Sequence, residues 1–171
     1  KFSPALAATE TVRDTSSVSG NTSSFDQKAM VAAHNRWRSK VGVPDLTWSD
    51  QLARSSRKWV DHLAETSCSL GHSGGHYGEN VYKTGPAVRS DGSVRKRDIT
   101  AQDVVNSWGR EVQYYDYSDN SCHGVCGHYT QIVWKTTTKV GCAMALCRDQ
   151  KTQLWVCQYS PTGNMLGQKP Y

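Results

Sequence analysis

The six cysteines constrain the fold of this chain more than any other feature of its sequence. They lie at positions 68, 122, 126, 142, 147 and 157, so five of them fall in one short segment. Thiolate zinc sites are usually built from paired Cys-x-x-Cys knuckles, and this spacing occurs nowhere in the chain. The even count therefore favours three disulfides over a thiolate metal site. Because disulfides persist in oxidising compartments, the cysteines also predict a secreted protein.

The rest of the composition is consistent with one small domain braced by such bonds. Hydrophobic residues make up 37% of the 171 residues, and six Trp and eight Tyr are available for a core. Each disulfide would add about 2–5 kcal/mol to the stability of that core. No run of apolar residues is long enough to cross a membrane. Asn21, in the tripeptide Asn-Thr-Ser, is an acceptor for N-glycosylation, which agrees with secretion.

The formal net charge of +5 bears on the partners that the chain can have. Its clearest basic cluster runs from Arg89 to Arg97 around an Asp-Gly turn and contains no aromatic residue. Nucleic-acid surfaces combine basic and aromatic side chains, so this cluster predicts a solvated hairpin loop and no nucleic-acid partner. The positive charge still favours contact with anionic cell walls or membrane surfaces.

Three predicted helices follow an N-terminal segment that has no structural signals. Residues 1–23 are rich in Ser, Thr and Ala without an apolar period, which predicts a flexible arm before a domain over residues 24–171. A capping-box pattern at Ser24 and Gln27 predicts the start of the first helix. N-caps at Ser49 and Thr100 predict the starts of the other two. Side chains at helical spacing mark the buried faces: Met30, Ala33, His34, Trp37 and Val41 in the first helix; Leu52, Ser56, Trp59, Val60 and Leu63 in the second; and Val104, Val105, Trp108, Val112 and Tyr115 in the third.

Strands are predicted between and after the helices. The stretch from Gly78 to Tyr82 reads as one strand. Near the C-terminus, the segments "VGCAMALC" and "LWVCQY" flank a polar loop and predict a hairpin. Helices, strands and cysteines are intermixed, and no βαβ unit is repeated. The pattern therefore predicts a disulfide-braced α+β domain.

Glu111 is out of place on the third helix. It lies three residues after Trp108 and four before Tyr115, so helical geometry puts its carboxylate on the apolar face. A carboxylate there is costly unless a positive or hydrogen-bonding group meets it. Either such a partner exists, or the helix is rotated so that Glu111 lies at the solvent edge, and spacing leaves both interpretations open.

Three residues in other segments are candidates to join Glu111 in a polar cleft. They are His72 and Glu79, in the stretch "CSLGHSGGHYGEN", and His128, in the stretch "CGHYTQIVW". A histidine near aromatic residues is more often structural than functional. Spacing therefore does not establish that the four side chains converge.

Five motifs, in order along the chain, identify a resemblance to a known family. They are "HNRWR", "LGHSGGHYGEN", "GHYTQIVWK", "VGCAMALC" and "CQYSPTGN", and they resemble the CAP superfamily over about residues 25–171. The ending "PTGNMLGQKPY" and the six cysteines are similar to plant pathogenesis-related proteins of group one. The resemblance implies a three-layer α-β-α sandwich with an antiparallel sheet. It also implies the disulfides Cys68–Cys147, Cys122–Cys126 and Cys142–Cys157.

The same resemblance implies a cleft tetrad of His72, Glu79, Glu111 and His128. Two neutral imidazoles with water suit Zn²⁺ or another divalent cation, bound weakly by His72 and His128 while the two glutamates orient the rings. The sequence contains no Gly-x-Ser-x-Gly or His-Glu-x-x-His motif, so we expect no enzyme. The alternative is a metal-dependent hydrolase or protease that uses this cleft.

The resemblance further implies a secreted, monomeric plant defence protein, in the apoplast or vacuole, that binds sterols or other lipids and acts against microbes. Tyr114, Tyr115 and Tyr117 lie where the family has its sterol-binding loop, although Cys122 stands where that motif continues with an aromatic residue. The chain departs from plant members in its longer N-terminal arm, the Arg89–Arg97 insertion and Gln158, where they commonly carry Asn.

The C-terminal residues 161–171 have two interpretations. Resemblance to plant relatives with a similar tail implies a signalling peptide that is released by cleavage between Ser160 and Pro161. The alternative is a structural tail anchored by Met165, Leu166 and Tyr171. The two can coexist, and the sequence leaves both open.

Overall fold

A computed structural model describes residues 25–171 of the chain. The predicted flexible arm, the glycosylation acceptor Asn21 and the capping residue Ser24 lie outside the described residues. Helices α1 to α4 span Gln27–Ser39, Asp50–Glu65, Ala101–Gly109 and Gly127–Ile132, and a 3-10 helix at Arg110–Tyr114 directly follows α3. Strands β1 to β8 span Thr47–Trp48, Gly78–Thr84, Ala87–Val88, Val94–Arg95, Tyr115–Asp116, Ser121–Cys122, Lys139–Leu146 and Gln153–Ser160.

The main sheet has four strands in the order β1-β7-β8-β2. Its three long strands are antiparallel, as predicted, and the two-residue strand β1 pairs with β7 in parallel. Strand β2 forms the far edge, where Glu79 lies opposite Gln158 of β8. The Asp-Gly turn joins β3 and β4 in the predicted hairpin, and β5 and β6 form a third small ladder.

Helix α2 covers one face of the main sheet, and helices α1, α3 and α4 cover the other. Side chains alternate along β8, so Val156 packs in the core on the α2 side while Cys157 and Tyr159 pack in the core on the opposite side. Helix α2 lies so close to β7 that a Cβ on Gly141 would be 2.2 Å from the backbone nitrogen of Ala53. The three-layer α-β-α sandwich is thereby confirmed.

All six cysteines are paired, in the combinations that the family resemblance implies. Cys68–Cys147 joins the end of α2 to the end of β7, and it closes a segment with a sequence separation of 79 residues. Cys142–Cys157 crosses between β7 and β8. Cys122–Cys126 closes a short loop before α4. The sandwich is therefore covalently braced on its α2 side, within its sheet and beside α4.

Two of the three predicted helix starts are confirmed. The Ser49 hydroxyl accepts a hydrogen bond from Leu52 N, and Thr100 forms a reciprocal capping box with Asp103. The start of α1 was predicted too early, because Asp26 is its N-cap, with a carboxylate that accepts from Ala29 N at 2.9 Å. Among residues 25–171, no helix combines the length and the apolar character that a membrane span requires.

His34, on α1, is completely buried against the sheet. Its Nδ1 lies 2.8 Å from the carbonyl oxygen of Met30, and its Nε2 lies 2.9 Å from the hydroxyl of Tyr159. Because a carbonyl oxygen can only accept, Nδ1 carries the proton of the neutral ring. Burial lowers the pKa of His34 to about 4, so the imidazole is uncharged at neutral pH.

Arg38 is also completely buried, one helical turn after His34. Its guanidinium donates to four backbone carbonyl oxygens, at 2.6 Å from Pro44, 2.8 Å from Ile132, 2.8 Å from Trp134 and 3.0 Å from Thr137. These carbonyls belong to the loop after α1 and to the chain that leaves α4. Burial lowers the pKa of the guanidinium to about 10, which keeps it charged at neutral pH. One side chain thus ties two loops to α1.

Candidate functional site

The backbone changes from α-helical to 3-10 geometry just before Glu111. Helix α3 ends at Gly109, where a Cβ would lie 2.1 Å from the ring of Trp37, so α1 and α3 are in close contact at that point. The 3-10 helix has about 3.0 residues per turn instead of 3.6, so the predicted apolar face does not continue. Val112 is consequently exposed, while the side chain of Glu111 is mostly buried.

Glu111 forms a pair with His128. Its Oε1 lies 2.6 Å from His128 Nδ1, and its Oε2 accepts from the backbone N–H groups of His128 at 3.0 Å and Tyr129 at 3.3 Å. These N–H groups lie in the first turn of α4, where Cys126 supplies no side-chain cap. The carboxylate thus holds both the imidazole and the start of the helix. Since Nδ1 donates to a carboxylate, Nε2 of neutral His128 carries a free lone pair.

Glu79 forms a second pair with His72. Its Oε1 lies 3.0 Å from His72 Nδ1 and accepts from the backbone N–H of Ser73 at 2.8 Å. Its Oε2 accepts from Nε2 of Gln158 at 2.8 Å. The Glu79 side chain is 5% exposed and that of His72 is 62% exposed, so a fixed carboxylate orients a solvent-facing ring.

The two pairs are joined through β2. Asn80, the residue after Glu79, donates from Nδ2 to the backbone carbonyl of His128 at 3.0 Å. The indole of Trp108 stacks on the imidazole of His128 with ring centroids 6.1 Å apart, and its Nε1 donates to Val81 O at 3.1 Å. Both histidines are therefore positioned by groups on the same edge strand, and their Nε2 atoms are the ones left available.

Each ring uses Nδ1 to bind a glutamate, which leaves Nε2 as the nitrogen that could ligate a divalent cation. The glutamate oxygens are already occupied by imidazole and backbone N–H groups, so they suit orientation rather than ligation. Within residues 25–171, no group of three or more His, Cys, Asp or Glu side chains is arranged to hold a metal ion. A cation bound by His72 and His128 would complete its coordination with water.

The predicted lipid-binding tyrosines lie next to the site, and their environments differ. Tyr115 is half-buried in the β5–β6 hairpin, where its hydroxyl donates to Asn120 at 2.8 Å. Tyr117 stacks on Tyr171 with ring centroids 4.6 Å apart and donates to the C-terminal carbonyl oxygen of that residue. Tyr114 is exposed, and its ring lies beside Gly124 in the disulfide-closed loop.

The C-terminal tail is attached to α4 and the neighbouring hairpin. Gly163 N donates to Gln131 Oε1 at 3.0 Å, and Pro170 O accepts from Lys135 N at 2.7 Å. The Tyr171 hydroxyl lies 3.1 Å from that of Tyr129. Of the three anchors suggested by the sequence, Tyr171 contacts Tyr129 and stacks on Tyr117, whereas Met165 and Leu166 are exposed.

These features define a small, disulfide-braced α-β-α sandwich with two histidine–glutamate pairs joined through the edge strand of its sheet. The model of the CAP family, described as the cysteine-rich secretory protein family, matches residues 31–159, and the chain belongs to this family. It is 43% identical over 139 residues to pathogenesis-related protein PRMS of Zea mays, and this alignment covers 80% of this chain and 77% of that protein. It is 40% identical over 145 residues to pathogenesis-related protein 1 of Arabidopsis thaliana, which covers 85% of this chain and 82% of that protein. The resemblance to plant pathogenesis-related proteins is confirmed.

Solved structures share the fold. The structure of BmVAL-1 aligns with a TM-score of 0.69 at 26% identity, over 90% of this chain and 84% of that one. A crystal structure of NaASP2 with Zn²⁺ aligns with a TM-score of 0.63 at 22% identity, over 86% of each chain. A metal ion is thus present in one protein of the same fold.

Proposed function

We propose that the chain is a secreted plant defence protein of the CAP family that binds sterols or other lipids and thereby acts against microbes. The names of the plant relatives support the defence role, and the three disulfides with the description of the family support secretion. The observation that carries the lipid role is an exposed apolar surface at the disulfide-closed loop, formed by Tyr114 and Val125. We call these two residues the loop surface.

The loop surface is suited to an apolar ligand because the backbone that carries its exposed side chains is held in place. The backbone of Tyr114 accepts from His123 N at 2.8 Å, and the Cys122–Cys126 disulfide limits the movement of the loop that carries Val125. Burial of such side chains under a lipid is favourable by about 25 cal/mol per Å² of apolar area. Tyr115 and Tyr117 follow in the neighbouring hairpin, where they contact Asn120 and Tyr171, respectively.

Replacing Tyr114 and Val125 together with serine is expected to weaken sterol binding by at least about 10-fold, because most of the apolar contact is lost. The measurement is equilibrium binding of labelled ergosterol, with thermal unfolding to check that the variant is folded. Leu70→Ser is the matched control, since Leu70 is an exposed apolar residue in another segment. An unchanged dissociation constant in the double variant would place lipid binding elsewhere.

The two histidine–glutamate pairs support a second proposed property, weak binding of Zn²⁺ or another divalent cation by His72 and His128. A bound cation would supply positive charge and polarise its water ligands. The glutamates would keep Nδ1 of each ring protonated and Nε2 directed outward. Because only a neutral imidazole can ligate, protons compete with the metal and affinity falls on acidification.

The double variant His72→Ala, His128→Ala is expected to lose calorimetric Zn²⁺ binding, whereas His62→Ala, at an exposed histidine on α2, should retain it. Equal affinity in the double variant and the native chain would show that the ion binds elsewhere. The same proteins test the hydrolase alternative. If the native chain cleaves members of a peptide library, and if a chelator and the double substitution each abolish this cleavage, the hydrolase alternative replaces the non-enzymatic proposal.

A precursor role for residues 161–171 is a third proposal. Pro161 is exposed, but Ser160 is the last residue of β8 and its carbonyl accepts from Thr138 N at 3.1 Å, so a protease would have to open the end of this strand to reach the bond between them. Cys157 stays joined to Cys142 on the other side of the cut. The sandwich would keep its core after cleavage, while the contacts of Gly163, Pro170 and Tyr171 would still hold the peptide.

A further inference from the structure

The hairpin of β3 and β4 projects from the sandwich as a separate two-stranded ladder. Its turn is specified locally: Gly92 adopts a φ of +79°, and Ser93 N donates to Asp91 Oδ1 at 2.8 Å. Arg89 N closes the turn by donating to Ser93 O at 2.9 Å. We call residues 87–97 the basic hairpin.

The base of the basic hairpin is fixed to the sandwich. Arg97 Nε donates to the carbonyl of Gly85 at 3.1 Å, which joins the two arms of the hairpin. The carbonyl of Arg97 accepts from Nε2 of Gln153, a buried residue of β8, at 2.8 Å. The hairpin is thus presented in a defined orientation.

Two apolar side chains on this hairpin face solvent. Val88 and Val94 are direct cross-strand partners, so they lie on the same face of the ladder. They are 71% and 44% exposed, respectively. A paired, exposed valine face contributes nothing to the core described above, and an apolar surface held out in this way is typical of an interaction site.

Basic residues adjoin the valines along both strands, and because side chains alternate along a strand, Arg89 and Arg95 lie on the opposite face of the ladder. The stretch has four positive charges and two negative ones, which leaves an excess of two positive charges. The basic residues are Arg89, Arg95, Lys96 and Arg97, and the acidic ones are Asp91 and Asp98. Arg95 lies 2.8 Å from Asp98, but both side chains are largely exposed, so the pair is weak and easily exchanged for another anion. The hairpin therefore combines a small apolar face with excess positive charge.

We propose that the basic hairpin docks the protein on an anionic phospholipid surface. The valine pair enters the boundary between headgroups and acyl chains, and the long arginine side chains extend from the opposite face of the narrow ladder to the lipid phosphates. An acidic polysaccharide would match the charge but would leave the valines without a role. This inference is independent of sterol binding, because it uses a different surface and a different lipid chemistry.

The test is co-sedimentation of the full chain with sterol-free vesicles, made either of phosphatidylcholine or of an equal mixture of phosphatidylcholine and phosphatidylglycerol. The native chain should bind the mixed vesicles, with affinity that falls as salt rises, and should bind phosphatidylcholine only weakly. Val88→Ser with Val94→Ser should reduce binding by about 10-fold. Arg89→Gln with Arg95→Gln should reduce it by about 30-fold, given two fewer charges near the surface.

Matched controls separate the hairpin from net charge. Arg148→Gln with Lys135→Gln removes the same charge from exposed positions outside the hairpin and should change binding by less than the arginine pair. Full binding by the valine variant would overturn the proposal. So would equal binding to both vesicle types. Retention on polygalacturonate beads that needs the arginines, together with no vesicle binding, would assign the hairpin to an acidic polysaccharide instead. Thermal unfolding of each variant checks its fold.

Discussion

Replacing Arg38 with methionine is expected to lower the free energy of unfolding by about 4 kcal/mol. Methionine fills much of the same volume but donates no hydrogen bond, so four carbonyls would lose the guanidinium as a donor: those of Pro44, Ile132, Thr137 and Trp134, of which the last keeps a bond from Thr137 N. A buried polar group without a partner costs about 1–3 kcal/mol, and partial access of water would offset some of that loss. Urea unfolding followed by circular dichroism measures the difference.

Arg36→Met is the matched control, because Arg36 is exposed on the same helix two residues earlier. It should change stability by less than about 0.5 kcal/mol. Arg38→Lys should retain little of the stability that Arg38 provides, since an ammonium group cannot reproduce the planar fork that reaches four oxygens. If Arg38→Met were as stable as the native chain, the four carbonyl contacts would not hold the loops as described.

The native chain is expected to lose about 3 kcal/mol of stability through His34 as the pH falls from about 6.5 to 4. The pKa of His34 is about 4 when folded and 6.5 ordinarily, so the unfolded chain binds the proton more tightly. The stability that the neutral ring contributes is fully present above the unfolded pKa of 6.5 and is lost as the pH falls toward the folded pKa of about 4. At about 1.36 kcal/mol per pKa unit, the difference gives the stated magnitude.

Urea unfolding at a series of pH values tests this expectation in the native chain and in His34→Gln, which cannot titrate there. The variant should be less stable at neutral pH, but its free energy of unfolding should change less with pH over this interval. His62→Gln, at an exposed position, should follow the native profile. The pKa of Asp149 is lowered to about 2 by its hydrogen bond from Thr152, so its contribution is lost only at lower pH. Parallel profiles for the native chain and His34→Gln would contradict the assigned role.

Elements with local signals were predictable from the sequence. Ser49 and Thr100 cap their helices through their own next turn, and the alternation of "LWVCQY" places one face of β8 against each core. The disulfide combinations followed from the family resemblance, because spacing by itself leaves the pairing open. Glu111 was singled out by helical spacing as a carboxylate in need of a partner.

The remaining features depend on contacts between distant segments. The change to 3-10 geometry follows the close contact of Gly109 with Trp37, and it moves Val112 to the surface. Gln158 reaches Glu79 only through the register of β8 with β2. Arg38 carries no local signal of its burial, because three of the four carbonyls that it binds lie 94, 96 and 99 residues further along the chain.

The attachment of the C-terminal tail changes what a protease would accomplish. A cut between Ser160 and Pro161 would produce two pieces that remain a non-covalent complex, with the short piece still hydrogen-bonded to Gln131 and Lys135. The appearance of free peptide would then be governed by its dissociation rate rather than by the rate of cleavage. The cleaved protein would then release its peptide slowly, and a ligand that displaces Tyr171 from the ring of Tyr117 would accelerate that release.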